Sequence, residues 1–246
     1  TYDGGFAEYA AVNAKYCYKL NDIMNFYGGD KMTAFELGAM VEPTGVAYNG
    51  IFVRAGGLRP GGHAAVFGCG PIGLAAIQLL KTSGAAKLIA FESVPERIEL
   101  AKACGADMVY DPTSFKSADE QAELIMDITN GAGISLFAEC AGATKFTYPV
   151  MAKSLAIGGK TAQIGHTVGL TPVDVFGWQW NAALIAGSNG QSGQGIYPDV
   201  IALMASGRID MRKMCTGRYN LEDIDEGMKI MAGKVLVSTE YPRLAK

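Results

Sequence analysis

The loop Gly68-Cys69-Gly70-Pro71-Ile72-Gly73 constrains this chain more than any other feature. It has the spacing G-x-G-x-x-G. The apolar run Ala64-Ala65-Val66-Phe67 leads straight into it, is too short for a helix, and reads as a buried strand. Beyond the loop, Pro71 to Thr82 runs without a breaker until Gly84, and Pro71 suits a first helical turn, where its missing N–H is not needed. A glycine loop alone is a weak signal; one placed between a strand and a helix is a strong one. Each glycine has its own task. Gly68 permits the tight turn, Gly70 lacks the Cβ that would hold a diphosphate off the backbone, and Gly73 lets helix and strand pack closely. Phosphate charge then sits on N–H groups at the helix's positive end. Gly68, Gly70, Pro71, Ile72 and Gly73 are therefore candidate residues for holding a dinucleotide.

Glu92 ends the next predicted strand, roughly 20 residues beyond Gly73. A carboxylate there accepts hydrogen bonds from ribose hydroxyls and repels a 2′-phosphate, which favours NAD over NADP. Arg97, in the following helix, is placed to lie over the adenine or to pair with Glu92; a solvated helix charge is the plain alternative. A methyltransferase shares a glycine-rich loop and a following acidic residue, but three complete glycine positions before an unbroken apolar helix favour the dinucleotide.

Strand and helix alternate through the middle of the chain. Leu88 to Phe91 reads as a strand, Pro95 to Cys104 as a helix stopped by Gly105, and Met108 to Tyr110 as a strand. Ser117 to Thr129 and Thr144 to Leu155 read as helices; Ile134 to Glu139, Lys160 to Ile164 and Ala183 to Gly187 read as strands. This alternation implies right-handed crossovers and a parallel sheet, so the fold class is α/β, a Rossmann-type doubly wound sheet. Ligands of such sheets bind at the strands' carboxyl ends, so Ala141, Gly142, Ile164 and Gly165 should edge the cofactor crevice, with ordinary strand-to-helix turns as the alternative. The flanks are less regular. Phe6 to Val12 looks strand-like, Ile196 to Ala205 helical, and Asn220 reads as the N-cap of a helix with Leu221, Ile224, Met228 and Met231 on one face.

Composition excludes more than it identifies. Charged residues are 18% of the 246 and the formal net charge is −3, which gives no reason to expect nucleic acid or an anionic membrane as a partner. The five cysteines are scattered and form no C-x-x-C pair, so a disulfide framework is not expected and a reducing, cytoplasmic setting is. No apolar run reaches the roughly 18 residues of a membrane span. The chain starts at Thr1 in what already reads as a turn entering a strand, so a longer parent polypeptide is expected.

Taken in order, Asp3-Gly4-Gly5-Phe6-Ala7-Glu8-Tyr9, Val41-Glu42-Pro43, the glycine loop, and Glu92 with Arg97 resemble the medium-chain, zinc-type alcohol and polyol dehydrogenases, along essentially the whole chain. The resemblance implies a dinucleotide domain, about residues 46–190, inserted in a partial GroES-like catalytic domain formed by 1–45 and 191–246. Val41-Glu42-Pro43 is similar to a segment of sorbitol and threonine dehydrogenases in which the Glu approaches catalytic zinc; the resemblance gives Glu42 that metal and catalytic role. Without the resemblance, a Glu-Pro before a helix would be a surface feature. The stretches Met40 to Asn49 and Gly187 to Gly195 look most like scyllo-inosose dehydrogenases, which narrows the implied substrate to a cyclic polyol or its ketone.

The departures are as informative. The family's first Cys ligand and its Gly-His-Glu pair would lie upstream of Thr1, so zinc's other ligands are absent from this chain. Of the two histidines, His63 reads as a turn residue before the first strand, and His166 as a loop residue facing the implied nicotinamide. In the complete enzyme the resemblance implies zinc as a Lewis acid on an alcohol oxygen, hydride transfer to NAD, Ile72 packed against the nicotinamide, and a homodimer or homotetramer. Two alternatives stay open: a zinc-free NAD(P)H reductase of the same fold, and a non-catalytic NAD-binding module.

Overall fold

Short apolar runs alternate with longer stretches that carry helix-start and helix-stop residues, and this alternation suits a parallel sheet with helical crossovers. In the computed structural model, which describes residues 4–191, 193, 195–229 and the backbone of 234–238, those runs form strands β1 His63–Phe67, β2 Lys87–Phe91, β3 Met108–Tyr110, β4 Ile134–Glu139, β5 Leu155–Gln163 and β6 Leu184–Gly187. They make one six-stranded parallel sheet in the order β3-β2-β1-β4-β5-β6. The chain moves from β1 outward to β3, then returns to the other side of β1 to start β4. The order therefore reverses between β1 and β4, and a crevice opens there at the carboxyl ends.

The linking helices end where their chemistry dictates. Helix α3 Pro71–Thr82 and helix α4 Pro95–Cys104 both carry Pro in the first turn, and α4 stops at Gly105 in the left-handed region. Helix α5 Ala118–Ile128 is capped by Ser117, whose hydroxyl accepts from Glu120 N at 3.2 Å. Helices α6 Thr144–Ser154 and α7 Val175–Trp180 complete this half. One face of the sheet packs Leu74, Ile77 and Leu88 in the larger core; the other packs Phe67, Phe91, Phe137, Met151 and Trp178. Phe67 stacks on Phe91 at 4.8 Å and on Phe137 at 5.8 Å. Phe67 and Phe91 are the last residues of β1 and β2, so these rings form an apolar floor beneath the crevice.

Outside the sheet the structure departs from the sequence reading. Phe6 to Val12 forms no strand: the segment is irregular and exposed, because among the described residues no neighbouring strand pairs with it. Instead helix α1 Asn21–Phe26 and the longer helix α2 Lys31–Tyr48 form, and α2 runs into a π-helical turn, Asn49–Arg54. Val41-Glu42-Pro43 therefore lies inside α2, not ahead of a helix. The helix tolerates Pro43 because Leu37, Met40, Val41, Val46 and Ala47 are buried around it, against α3 and against helix α8 Ile196–Ala205. The 45/46 division falls within α2. His63 begins β1 rather than sitting in a turn before it. Asn220 does cap, accepting from Glu222 N at 3.3 Å, but it opens only a 3₁₀ turn and the short helix α9 Ile224–Gly227, with Met228 exposed. The strands β7 Cys215–Asn220 and β8 Lys234–Ser238 form a separate parallel pair. Asp3, Ser192, Gln194 and Met231, which entered the sequence reading, lie outside the described residues. All five cysteines are free, and no described helix is long and apolar enough to cross a membrane.

Candidate cofactor site

Gly68 leaves β1 with φ +83°, which turns the chain sharply enough for Gly70 to start α3. A Cβ at Gly73 would overlap the Gly68 carbonyl, so the helix can sit this close to the turn only with glycine there. A Cβ at Gly70 would meet nothing within 4 Å. That position faces open space, as a phosphate cradle requires. Gly70 supplies no side-chain cap to α3, and Pro71 occupies the first turn, so that turn keeps the N–H groups a helix start cannot satisfy internally. Ile72, beside them, is partly buried against the larger core.

Glu92 sits directly beside this turn and is only 6% exposed. Its Oε2 accepts from Cys69 N at 2.7 Å, and its Oε1 accepts from Ser93 N and Val94 N at 2.8 and 3.0 Å. Arg97 Nη1 lies 4.0 Å from Oε2. Arg97 thus stands beside Glu92, the pairing that the sequence offered as one of its arrangements. The carboxylate also ties the glycine loop to the end of β2, and this bracing was not foreseen. A cavity of about 600 Å³ opens here, lined among others by Gly68, Glu92, Ser93, Pro112 and Ala141. Lys116 and Lys145 line it as well, so ammonium groups share the cavity with the carboxylate.

The ends of β4 and β5 build a second, similar bracket. Glu139 is fully buried; its Oε2 accepts from Gly142 N at 3.0 Å and from Gln163 Nε2 at 2.8 Å. Gln163 Nε2 also donates to Gly165 O at 2.8 Å, and Tyr148 Oη donates to Gln163 Oε1 at 3.0 Å. Glu139 Oε1 has no hydrogen-bond partner among the described residues. Burial lifts the Glu139 carboxyl above the usual range, against the pull of Gln163 and the neighbouring backbone N–H groups. Burial first, and the Glu139 charge second, push the Tyr148 phenol up to about 12.

The predicted pair of loops after β4 and β5 meets here backbone to backbone. A Cβ at Gly142 would overlap His166 O, and one at Gly165 would overlap Gly142 N. Gly142 and Gly165 therefore have a packing reason to be glycine. Ala141 lines the first cavity. Ile164, buried in the larger core, and Gly165 line a second cavity of about 570 Å³ at the ends of β5 and β6, with Arg54, His166, Ser188 and Asn189. His166 is exposed at its rim. Asn49 Nδ2 donates to Ser188 Oγ at 3.2 Å and to Gly190 O at 2.9 Å, so the two sequence stretches around Asn49 and Gly187 touch.

Glu42 lines neither of these two cavities and is exposed on α2; its charge, after burial, helps raise the Tyr197 phenol. Among the described residues no three His, Cys, Asp or Glu side chains cluster to hold a metal ion. A lone carboxylate does not make a zinc site, so the donors described here do not fit zinc. They do fit a dinucleotide: the open position at Gly70 lies two residues beyond Gly68 in the first cavity's lining, and the second cavity lies at the ends of β5 and β6.

Residues 71–206 match the family model described as zinc-binding dehydrogenase. The chain is 42% identical over 231 residues to scyllo-inosose 3-dehydrogenase of Thermotoga maritima, covering 92% of this chain and 57% of that protein. It is 34% identical over 228 residues to (R,R)-butanediol dehydrogenase of Bacillus subtilis, covering 91% of this chain and 60% of that protein. A solved structure from Thermotoga maritima superposes with a TM-score of 0.84 at 41% identity, covering 92% of this chain and 57% of that one. The chain thus spans less than two thirds of the length of these relatives.

Proposed function

Since the chain belongs to the zinc-binding dehydrogenase family, we propose that it binds NAD across the sheet's reversal point and serves hydride transfer between NAD and a secondary alcohol or polyol. One observation carries this reading: Gly68, where the glycine turn begins, lines one cavity with Glu92, whose carboxylate accepts from Cys69 N inside that turn. The backbone at Gly70 and the first turn of α3 would receive the diphosphate, and Glu92 the adenosine ribose. The nicotinamide would then reach the second cavity, between Gly165 and Ser188. Bound there, NAD supplies the hydride chemistry, while the chain supplies orientation and electrostatics. Relatives named for an inosose and for butanediol support hydroxylated substrates, and a cyclic polyol or its ketone is the finer choice. Glu42 is proposed to act near the substrate rather than on the cofactor; no step is assigned to zinc.

Self-association, as a dimer or tetramer, is part of the same proposal. Strand β6 is a sheet edge, with Leu184 and Ile185 partly exposed beside the exposed rings of Phe176 and Trp180. Such an apolar edge favours pairing with a second copy.

The reading is tested by titrating NAD and NADP into the protein as its gene encodes it, followed by a panel of alcohols, hexitols and inositols read by NADH absorbance. Saturable NAD binding, tighter than NADP, with turnover of at least one polyol, is expected. Absence of NAD binding overturns the proposal.

A further inference from the structure

Two polar side chains beside the first cavity each bury an atom without a hydrogen-bond partner among the described residues. Gln121, on α5, and Thr147, on α6, both line the cavity that Gly68 and Glu92 line. Each is only 6% exposed, yet Gln121 Nε2 and Thr147 Oγ1 have no hydrogen-bond partner among the described residues. Burying a donor without a partner is costly, so proteins keep few such groups, and each calls for an explanation. Two of them at one cavity point to a ligand.

The rest of the lining states what kind of ligand. Phe67, Phe91, Phe115 and Pro112 supply apolar walls, and Glu92 stands at the glycine turn. The opening therefore suits a sugar, and the interior a flat ring with hydrogen-bonding groups on its edge. A side-chain amide donates and accepts in one plane, which is how Gln and Asn pair with the edge of adenine. We propose that Gln121, together with Thr147, hydrogen-bonds the polar edge of the NAD adenine and makes this end of the site base-specific. This rests on the NAD reading above and adds the residues that choose the base. The last torsion of a Gln side chain is soft and a helical Thr has two accessible χ1 rotamers, so both groups can turn toward a base without moving α5 or α6.

Calorimetric titration of the protein as its gene encodes it, with NAD and with an etheno-bridged NAD whose adenine edge is capped, tests the proposal. Wild type should bind NAD more tightly by about fivefold, the usual effect of one neutral hydrogen bond. Gln121→Leu keeps much of the bulk and loses the amide. It should weaken NAD binding by about fivefold and the bridged analogue by less than about twofold. Thr147→Val should show the same pattern to a smaller degree, and replaces Gln121→Leu if that variant does not fold. Equal wild-type affinity for the two dinucleotides, or equal losses in the variants, overturns the assignment while leaving NAD binding intact. Failure of wild type to bind either dinucleotide overturns the NAD reading itself.

Discussion

The carboxylates of Glu92 and Glu139 close neighbouring parts of the same crevice, and they are held in opposite ways. Both are buried, and both accept backbone N–H groups from an adjacent loop. Glu92 has both oxygens occupied and Arg97 beside it. Glu139 has one oxygen without a partner among the described residues, an amide rather than a cation as neighbour, and a carboxyl raised by burial. One position is therefore a fully bonded brace, and the other a carboxyl that burial discourages from ionising.

The largest way to break this contrast is to remove Glu92. Glu92→Ala leaves the N–H groups of Cys69, Ser93 and Val94 without their acceptor and should cost about 2–3 kcal/mol in chemical denaturation. It should also weaken NAD binding by about tenfold or more and narrow the preference over NADP, with Lys116 and Lys145 still present. Unchanged affinity for both cofactors would remove Glu92 from the site.

A second test sharpens the other half. Because the folded chain holds the Glu139 proton to higher pH than the unfolded chain does, this group's contribution is intact below the ordinary carboxylate range. It fades as pH rises through the raised value. From about pH 4 upward, wild-type stability should thus fall relative to Glu139→Gln, whose denaturation should be flatter with pH. Parallel pH profiles would show that the carboxyl is not raised.

The glycines give a finer comparison. Gly142→Ala meets His166 O with φ at +68° and should cost about 2 kcal/mol or more, whereas Gly70→Ala meets no atom. Gly70→Ala should leave the melting temperature nearly unchanged and weaken only NAD binding. Equal destabilisation would mean that Gly70 serves packing. The smallest effect is expected at Glu42. Glu42→Gln should leave stability within about 0.5 kcal/mol and NAD affinity unaltered, while lowering turnover. Unimpaired turnover would exclude Glu42 from the reaction.

The regular half of the molecule was legible because its signals are local. Gly68, Gly105 and the prolines at 71 and 95 punctuate the chain where elements begin and end. Helix α2 was not legible: it is buried over much of its surface and interrupted by Gly38, Pro43 and Gly45, so no apolar stripe marks it. Phe6 to Val12 has strand composition, but a strand needs a partner that composition cannot supply. Glu92 was legible from its place after a strand, yet its bonds to the glycine turn were not. Glu139 also ends a predicted strand, but nothing in the sequence ties it to the loops it braces, and Gln121 and Thr147 are isolated polar residues in ordinary stretches. Only the folded neighbourhood, two loops in contact or two groups without partners among the described residues, gives them meaning.

Where Gly142 touches His166 and Gly165, peptide planes of two loops abut without any side chain between them. Such a joint has no rotamers to relax, so it acts as a fixed ruler between the two hollows. A molecule long enough to occupy both must match that span as it arrives.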